Sequence, residues 1–414
     1  MKVSIIVIGD EILLGRVTDT NSGFLSRTID PLGWQVTDIA TVADSREEIV
    51  AAVRRAMTRS DIVLTTGGLG PTRDDITKQA LIDCFGGTLR EDRAVVDNAR
   101  SIMESRGLRF NDLTATQGLV PDSCEAIVNT VGTAPLMLFR RDGHTLVAMP
   151  GVPAETQTMF PAEVLPRLIR LHQGARPVFT AHRSLLVGGI PESAIAEHLA
   201  PWEDTLPAAL HLAYLPDSGI VRLRLDGIGP DRNALDTLID DAHASLARLV
   251  SPWLLDTTDR PLAQIVIDTL RDKGLMLATA ESCTGGNIAH TLTLVPGSSA
   301  SFAGSVVAYS NTVKETVLGV DPAAIAAHGA VSIPVAEQMA RGALDACRAD
   351  IAVSTTGIAG PGGAVPGKPV GTVCIAVATP AATVSATLRF AGDRERIIHR
   401  ATIEALASIL RQLR

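Results

Sequence analysis

Short apolar runs, each closed within two residues by a glycine and followed by a helix-like stretch, recur along the first 166 residues. This alternation constrains the fold more than anything else in the chain. Residues 3–8, 62–65 and 145–149 read as buried strands, whereas 46–57 and 75–84 carry the 3.6-residue period of amphipathic helices. Strands that alternate with helices imply a parallel sheet covered on both faces, because parallel neighbours need a long crossover. From 177 to 250 the rule changes: a strand (184–187), a helix (192–199), two strands (210–215 and 221–225) and a long helix (232–250) predict a small α+β element. Residues 251–260 read as a linker. Pro261 then suits a first helical position, Leu262, Ile265, Val266 and Leu270 form an apolar stripe, and Gly274 suits the position beyond the helix end. The remainder alternates again, with strands at 305–308, 351–355 and 372–378 and helices at 334–349 and 394–413. The expected architecture is α/β: two three-layer α/β/α domains with mainly parallel sheets, at 1–168 and 256–414, joined by a small α+β domain at 169–255.

Composition narrows the function. A formal charge of −8 argues against a nucleic-acid partner, since phosphate affinity comes from clustered cations, and 3% aromatics leave little for base stacking. Five cysteines without a C-x-x-C pair predict neither a zinc site nor a disulfide framework, and so a reducing cytoplasm. The first apolar run stops at Asp10 and Glu11, well short of a membrane span. Of the 37 basic side chains only five are lysine, and lysine, unlike arginine, loses its proton at an accessible pKa. A lysine kept inside a motif therefore points to chemistry, with a solvated surface lysine as the plainer reading.

The segment Ala280-Glu281-Ser282-Cys283-Thr284-Gly285-Gly286 lies between a strand-like run and a helix-like one. A nucleophile placed there has backbone N–H groups and a helix N-terminus beside it to hold an oxyanion. Ser282 and Cys283 compete for the role, and a buried cysteine and a helix-capping Thr284 are the structural alternatives. Three more segments stand at strand ends or helix starts: Tyr309-Ser310-Asn311 with Lys314, Thr356-Gly357-Ile358-Ala359-Gly360, and Gly392-Asp393-Arg394. Ligands bind at carboxyl ends of parallel strands, so one shared pocket is expected. Lys314, desolvated, suits the base of a Ser-Lys pair. The glycines at 357 and 360 suit phosphate approach, Arg394 a phosphate clamp, and Glu281 a ribose hydroxyl or an orienting role.

Together with Gly329-Ala330-Val331-Ser332 and Lys368-Pro369-Val370-Gly371-Thr372-Val373, these motifs resemble the CinA C-terminal domain, the nicotinamide mononucleotide deamidase family, over 263–414. The resemblance implies hydrolysis of the nicotinamide amide to nicotinate mononucleotide and ammonia without a cofactor. It also implies Ser282 as nucleophile, Lys314 as base, Tyr309 and Thr356 as supporting groups, and Glu281, Thr284, Gly285, Gly286, Asn311, Gly357, Gly360 and Arg394 as substrate-binding residues. Ser305 stands where that family tends to have glycine.

In the N-terminal half, the stretch Gly9-Asp10-Glu11 follows the first strand, and Gly67-Gly68-Leu69-Gly70-Pro71-Thr72-Arg73-Asp74-Asp75 a later one. Gly67, Gly68, Gly70 and Thr72 suit a nucleotide's phosphates, with Asp19 and Asn21 adding polar groups. Asp10, Asp74 and Asp75 are candidate ligands for a hard divalent cation, helix capping being the other reading of Asp74 and Asp75. With Met149-Pro150-Gly151-Val152-Pro153, residues 1–168 resemble the CinA N-terminal domain, related to MoaB/MogA-type molybdopterin-binding proteins. That implies metal-dependent hydrolysis of ADP-ribose to AMP and ribose 5-phosphate. Leu136 stands where glycine normally follows Gly132-Thr133-Ala134-Pro135, and its bulk is expected to crowd a bound nucleotide. The expected protein is a cytoplasmic homodimer that takes small nucleotides, with no membrane partner. A binding-only N-terminal module and a non-enzymatic competence or DNA-damage factor are the alternatives.

Overall fold

The computed structural model describes residues 1–72, 75–172 and 178–413. They form two compact units, residues 1–181 with 228–236 and residues 182–227 with 237–414. In the first unit the strands are β1 (Lys2–Ile8), β2 (Gln35–Val42), β3 (Ile62–Thr66), β4 (Leu89–Glu91), β5 (Leu119–Pro121), β6 (Cys124–Ile127), β7 (Leu136–Arg141) and β8 (His144–Met149). Six of them make one sheet in the order β2-β1-β3-β8-β7-β6, while β4 and β5 pair separately. β2, β1, β3 and β8 are parallel, and β7 and β6 add an antiparallel edge. The β7–β8 hairpin turns on Asp142-Gly143, both at positive φ, the two-residue turn whose twist matches a hairpin. Ile5, Leu64, Val147 and Met149 pack on one face with Leu25, Phe160 and Leu168. Ile6, Val63 and Ala148 pack on the other with Ile49, Val53 and Leu81. Burial on both faces explains why these strands read as continuous apolar runs.

The middle strands β9 (Phe179–Gly188), β10 (Leu210–Asp217), β11 (Ile220–Gly229) and β12 (Leu254–Asp256) form a four-stranded sheet ordered β10-β11-β9-β12. β12 corrects the linker expected at 251–260. It pairs antiparallel with β9, and Leu255 packs with Leu186 and Ile220 into the C-terminal core, so two leucines turn an aperiodic stretch into a strand.

The C-terminal sheet contains β13 (Leu277–Glu281), β14 (Phe302–Val307), β15 (Ile351–Gly357), β16 (Thr372–Ala378) and β17 (Thr383–Arg389), ordered β14-β13-β15-β16-β17. β14, β13 and β15 are parallel, and β16 and β17 are antiparallel additions. Helices Leu262–Lys273 and Arg394–Gln412 cover one face with Val266, Leu270, Ile397 and Leu406. Helix Ile333–Cys347 covers the other through Val335 and Met339 against Ala278, Ala280 and Ala352. A Cβ at Gly342 on that helix would lie 2.0 Å from the Leu318 carbonyl oxygen, so its absence lets helix Asn311–Leu318 pack close. Among the described residues no helix is long and apolar enough to cross a membrane.

Candidate active site at the end of β13 and a second pocket in the N-terminal unit

β13 delivers Ser282 into the turn before helix Asn287–Thr293. Gly285 and Gly286 hold the turn at φ of 61° and 98°, a backbone that side-chain-bearing residues rarely adopt. Across the cleft, Ser310 accepts a hydrogen bond from the Val313 amide and starts helix Asn311–Leu318, which turns Lys314 inward. The Lys314 Nζ donates to Ser282 Oγ at 3.0 Å and to the Ala308 carbonyl at 2.8 Å. Only 1% of Lys314 is exposed, and this desolvation lowers its pKa from the ordinary 10.5. The same burial pushes the Cys283 thiol up to about 12, which keeps it protonated. Serine, not cysteine, contacts the amine.

The turn corrects one expectation. Its helix N-terminus is not open to an anion, because the buried Glu281 carboxylate accepts from the amides of Gly286 (3.0 Å), Ile288 (3.0 Å) and Ala289 (2.8 Å). A side chain carried by the same strand thus fills the anion position that helix termini provide. The Ser282, Gly285 and Asn287 amides bond to the carbonyls of Thr355, Ser282 and Thr284. Among the described residues this leaves the turn's Cys283 and Thr284 amides without a hydrogen bond, and of the two residues Cys283 lines the cleft. Thr284 is likewise drawn inward, its hydroxyl 2.7 Å from that of Thr355. Glu281, Thr284, Gly285 and Gly286 therefore shape the turn and do not line the cleft.

The cleft encloses about 220 Å³ and is lined by Ser282, Tyr309, Asn311, Lys314, Thr356, Gly357 and Arg394, together with Cys283, Ala330, Val331 and Ala359. Gly357 permits the packing, since a Cβ there would sit 3.0 Å from Cys283 Sγ and 2.9 Å from the Thr372 carbonyl oxygen. The Thr356 hydroxyl donates to the Ala330 carbonyl at 2.8 Å and ties β15 to the 329–332 loop. Arg394 donates to the Gly360 carbonyl (2.7 Å) and to the Tyr309 hydroxyl (2.8 Å). Gly360 thus holds Arg394 without lining the cleft, and Tyr309 addresses the arginine through its hydroxyl instead of the Ser-Lys pair.

In the N-terminal unit the ends of β1, β3 and β8 border a larger cavity, about 560 Å³. Gly67 and Gly68 have φ of 109° and 63°, and a Cβ on Gly67 would strike the Ile8 carbonyl oxygen at 2.0 Å. Asp75 accepts from the Gly70 amide (2.7 Å) and the Thr72 amide (2.9 Å), closing the loop. Asp19 accepts from the Asn21 and Ser22 amides at 2.9 and 3.1 Å and opens helix Asn21–Ile29. Gly67, Gly68, Gly70, Asp19, Asn21 and Asp75 all line the cavity. Asp10 and Thr72 do not, and Asp74 lies outside the described residues.

Glu11 lines the cavity from within the Gly9-Asp10-Glu11 stretch, and two further lining carboxylates lie outside every motif of the sequence. Asp44 follows β2, and its carboxylate accepts from the Asp10 amide at 3.0 Å while the Asp10 carboxylate accepts from the Asp44 amide at 3.3 Å; burial, then the charges of Asp10, Glu11 and Asp75, raise the Asp44 pKa. Its signal was a strand end beside that of Asp10. Glu155 accepts from Asn129 Nδ2 at 2.7 Å, and burial raises its pKa too. Its signal was a carboxylate in the first turn after Pro153. Leu136 does not crowd the cavity: it is fully buried in the core with Leu138, Met149 and Phe160, so its bulk fills the interior at the start of β7.

Comparison with known proteins follows the same division. Residues 259–413 match the CinA C-terminal domain, 4–170 a probable molybdopterin binding domain, and 182–254 the damage-inducible protein CinA KH domain. A CinA-like protein of Flavobacterium psychrophilum is 38% identical over 415 residues, covering 100% of this chain and 99% of the relative. The chain belongs to the CinA family. A second CinA-like protein, from Chloroherpeton thalassium, is 42% identical over 385 residues, 92% of this chain and 91% of its own. The crystal structure of competence/damage inducible protein CihA from Agrobacterium tumefaciens is 42% identical, with a TM-score of 0.36, over 37% of this chain and 93% of that one. This CinA-family chain carries the cleft at β13 within its CinA C-terminal match and the larger cavity within its molybdopterin-binding-type match.

Proposed function

We propose that the C-terminal cleft hydrolyses the carboxamide of nicotinamide mononucleotide, with Ser282 as nucleophile and Lys314 as base. The contact that carries this reading is the 3.0 Å approach of Lys314 Nζ to Ser282 Oγ inside a cleft that, among the described residues, is lined by no carboxylate. Neutral Lys314 takes the Ser282 proton while Oγ bonds to the amide carbon, and the amide of Cys283, which lines the cleft, receives the oxyanion. The Lys314 ammonium then protonates the departing nitrogen as the C–N bond breaks, releasing ammonia and leaving a Ser282 ester. Water, deprotonated by the same amine, cleaves the ester to nicotinate mononucleotide. Arg394, steadied by Gly360 and Tyr309, holds the phosphate at the mouth. Ammonia release from nicotinamide mononucleotide by the full chain tests the reading. Its absence with this substrate at every pH from 6 to 10 would rule the reading out.

For the N-terminal cavity we propose ADP-ribose with a divalent cation. Among the described residues no three His, Cys, Asp or Glu side chains are placed to hold a metal. The lining nevertheless fits a cation shared with a ligand's phosphates, since small hard cations commonly take one or two carboxylates and complete their shell with phosphate. Asp44, which lines the cavity, is the residue that would hold it, and the cation would neutralise the pyrophosphate. One observation favours binding without turnover as a second reading: Asp19, Thr72 and Asp75 are all committed to holding loops. Turnover of ADP-ribose across a series of divalent metals separates the two. The KH-type segment carries no G-x-x-G sequence, the loop with which such modules clamp a nucleotide backbone, which supports small nucleotides as the partners.

A further inference from the structure

Asn21 stands at the first turn of helix Asn21–Ile29 and is only 5% exposed, yet it lines the N-terminal cavity. Its Nδ2 donates to the Gly151 carbonyl at 2.8 Å. A backbone carbonyl only accepts, so this bond settles which way the amide faces. Oδ1 is left buried and without a partner in the cavity wall, as is the hydroxyl of Thr66, itself 1% exposed and also lining the cavity. Buried polar groups in folded proteins nearly always have partners, and an orphaned acceptor in a binding cavity calls for a donor from the ligand. The surroundings say which part of a ligand that is. Glu11, Asp19, Asp44, Asp75 and Glu155 line the cavity, and among the described lining residues there is no lysine, arginine or histidine. An anionic phosphate is repelled from such a wall, whereas a neutral, donor-bearing base or sugar is accepted.

We infer that Asn21 is a specificity-determining residue of this cavity: its Oδ1, left unpaired while Nδ2 is tied to Gly151, accepts a hydrogen bond from an N–H of the ligand's base or an O–H of its ribose. The inference rests on the nucleotide reading of the cavity. It selects a nucleotide by its donor, because a ligand lacking that donor leaves the acceptor buried and unpaired.

The test is binding of ADP-ribose and of its hypoxanthine analogue, which lacks the exocyclic amine, to the full chain with manganese present, measured by calorimetry. Asn21→Leu preserves volume, and Asn21→Ala serves should leucine disturb folding. Both variants should keep wild-type ammonia release from nicotinamide mononucleotide while binding ADP-ribose about 10- to 100-fold more weakly. If the base amine is the donor, wild-type protein binds the analogue weakly and the variants lose nothing further with it. If a ribose hydroxyl is the donor, both ligands weaken alike. Either pattern supports the role of Asn21. Folded variants that bind both ligands with the wild-type Kd overturn it. Wild-type protein that binds neither ligand overturns the nucleotide reading, and the inference falls with it.

Discussion

Both pockets lie at the carboxyl ends of parallel strands, and they carry opposite charge. Among the described residues, the N-terminal cavity is lined by five carboxylates and no cation, and the C-terminal cleft by Lys314 and Arg394 and no carboxylate. The same strand-to-loop architecture therefore sets two different problems. In the cleft, lack of an acidic partner lets burial pull the Lys314 pKa down, which is what a lysine base requires. In the cavity, burial and then the charges of Asp10, Glu11 and Asp75 raise the Asp44 pKa, and the acidic wall opposes a bare phosphate. Charge placed on common scaffolding, more than the scaffolding itself, separates the two chemistries.

The sharpest way to break this contrast is at the proposed nucleophile. Ser282→Ala should lower ammonia release about 10⁴-fold or more, while Cys283→Ala keeps most of the wild-type rate. The opposite pattern moves the chemistry to the thiol. Lys314→Arg should cost about 10²- to 10⁴-fold, close to Lys314→Ala, because arginine keeps the charge but cannot serve as base. In the wild type the sign follows from the lowered pKa: the rate rises as Lys314 loses its proton, so the acid limb of kcat/KM should lie below the ordinary lysine value of 10.5. A limb at or above that value contradicts the desolvated amine.

Importing the other pocket's charge is a milder perturbation. Asn311→Asp gives the cleft a carboxylate, which should raise the Lys314 pKa and slow deamination about tenfold at pH 7, with recovery at higher pH. A uniform loss at all pH values points to damaged geometry instead. In the opposite direction, Asp44→Asn removes one charge from the cavity. ADP-ribose binding measured in chelator should tighten about three- to fivefold, so the metal effect on affinity shrinks. An unchanged metal effect means that Asp44 neither holds the cation nor repels the phosphates.

Much of this was legible in the chain. The runs at 3–8, 62–65 and 145–149 announce strands buried on both faces because periodicity is a local property of the backbone. The antiparallel strands were harder: β6, at the sheet edge, has only four residues, and β12 depends on pairing with β9 and on the packing of Leu255. Among site residues, Ser282, Lys314, Tyr309, Asn311, Thr356 and Arg394 reached one cleft. Glu281 did not, since a carboxylate beside a nucleophile looks the same on paper whether it faces substrate or three amides of the next helix.

The amino-acid order alone determined where the strands and turns stand, which glycines allow sharp backbone, and that a lysine and a serine flank strand ends of one half. Only the tertiary structure decided that Lys314 is stripped of water against Ser282, that Glu281 closes the helix terminus, that Leu136 points into the core, and that the Asn21 Oδ1 is buried without a partner. Local sequence governs backbone preference, but solvent exposure and hydrogen-bond partners depend on which distant segments the folded chain brings together, and those two quantities set the charge and reactivity of every group in both pockets.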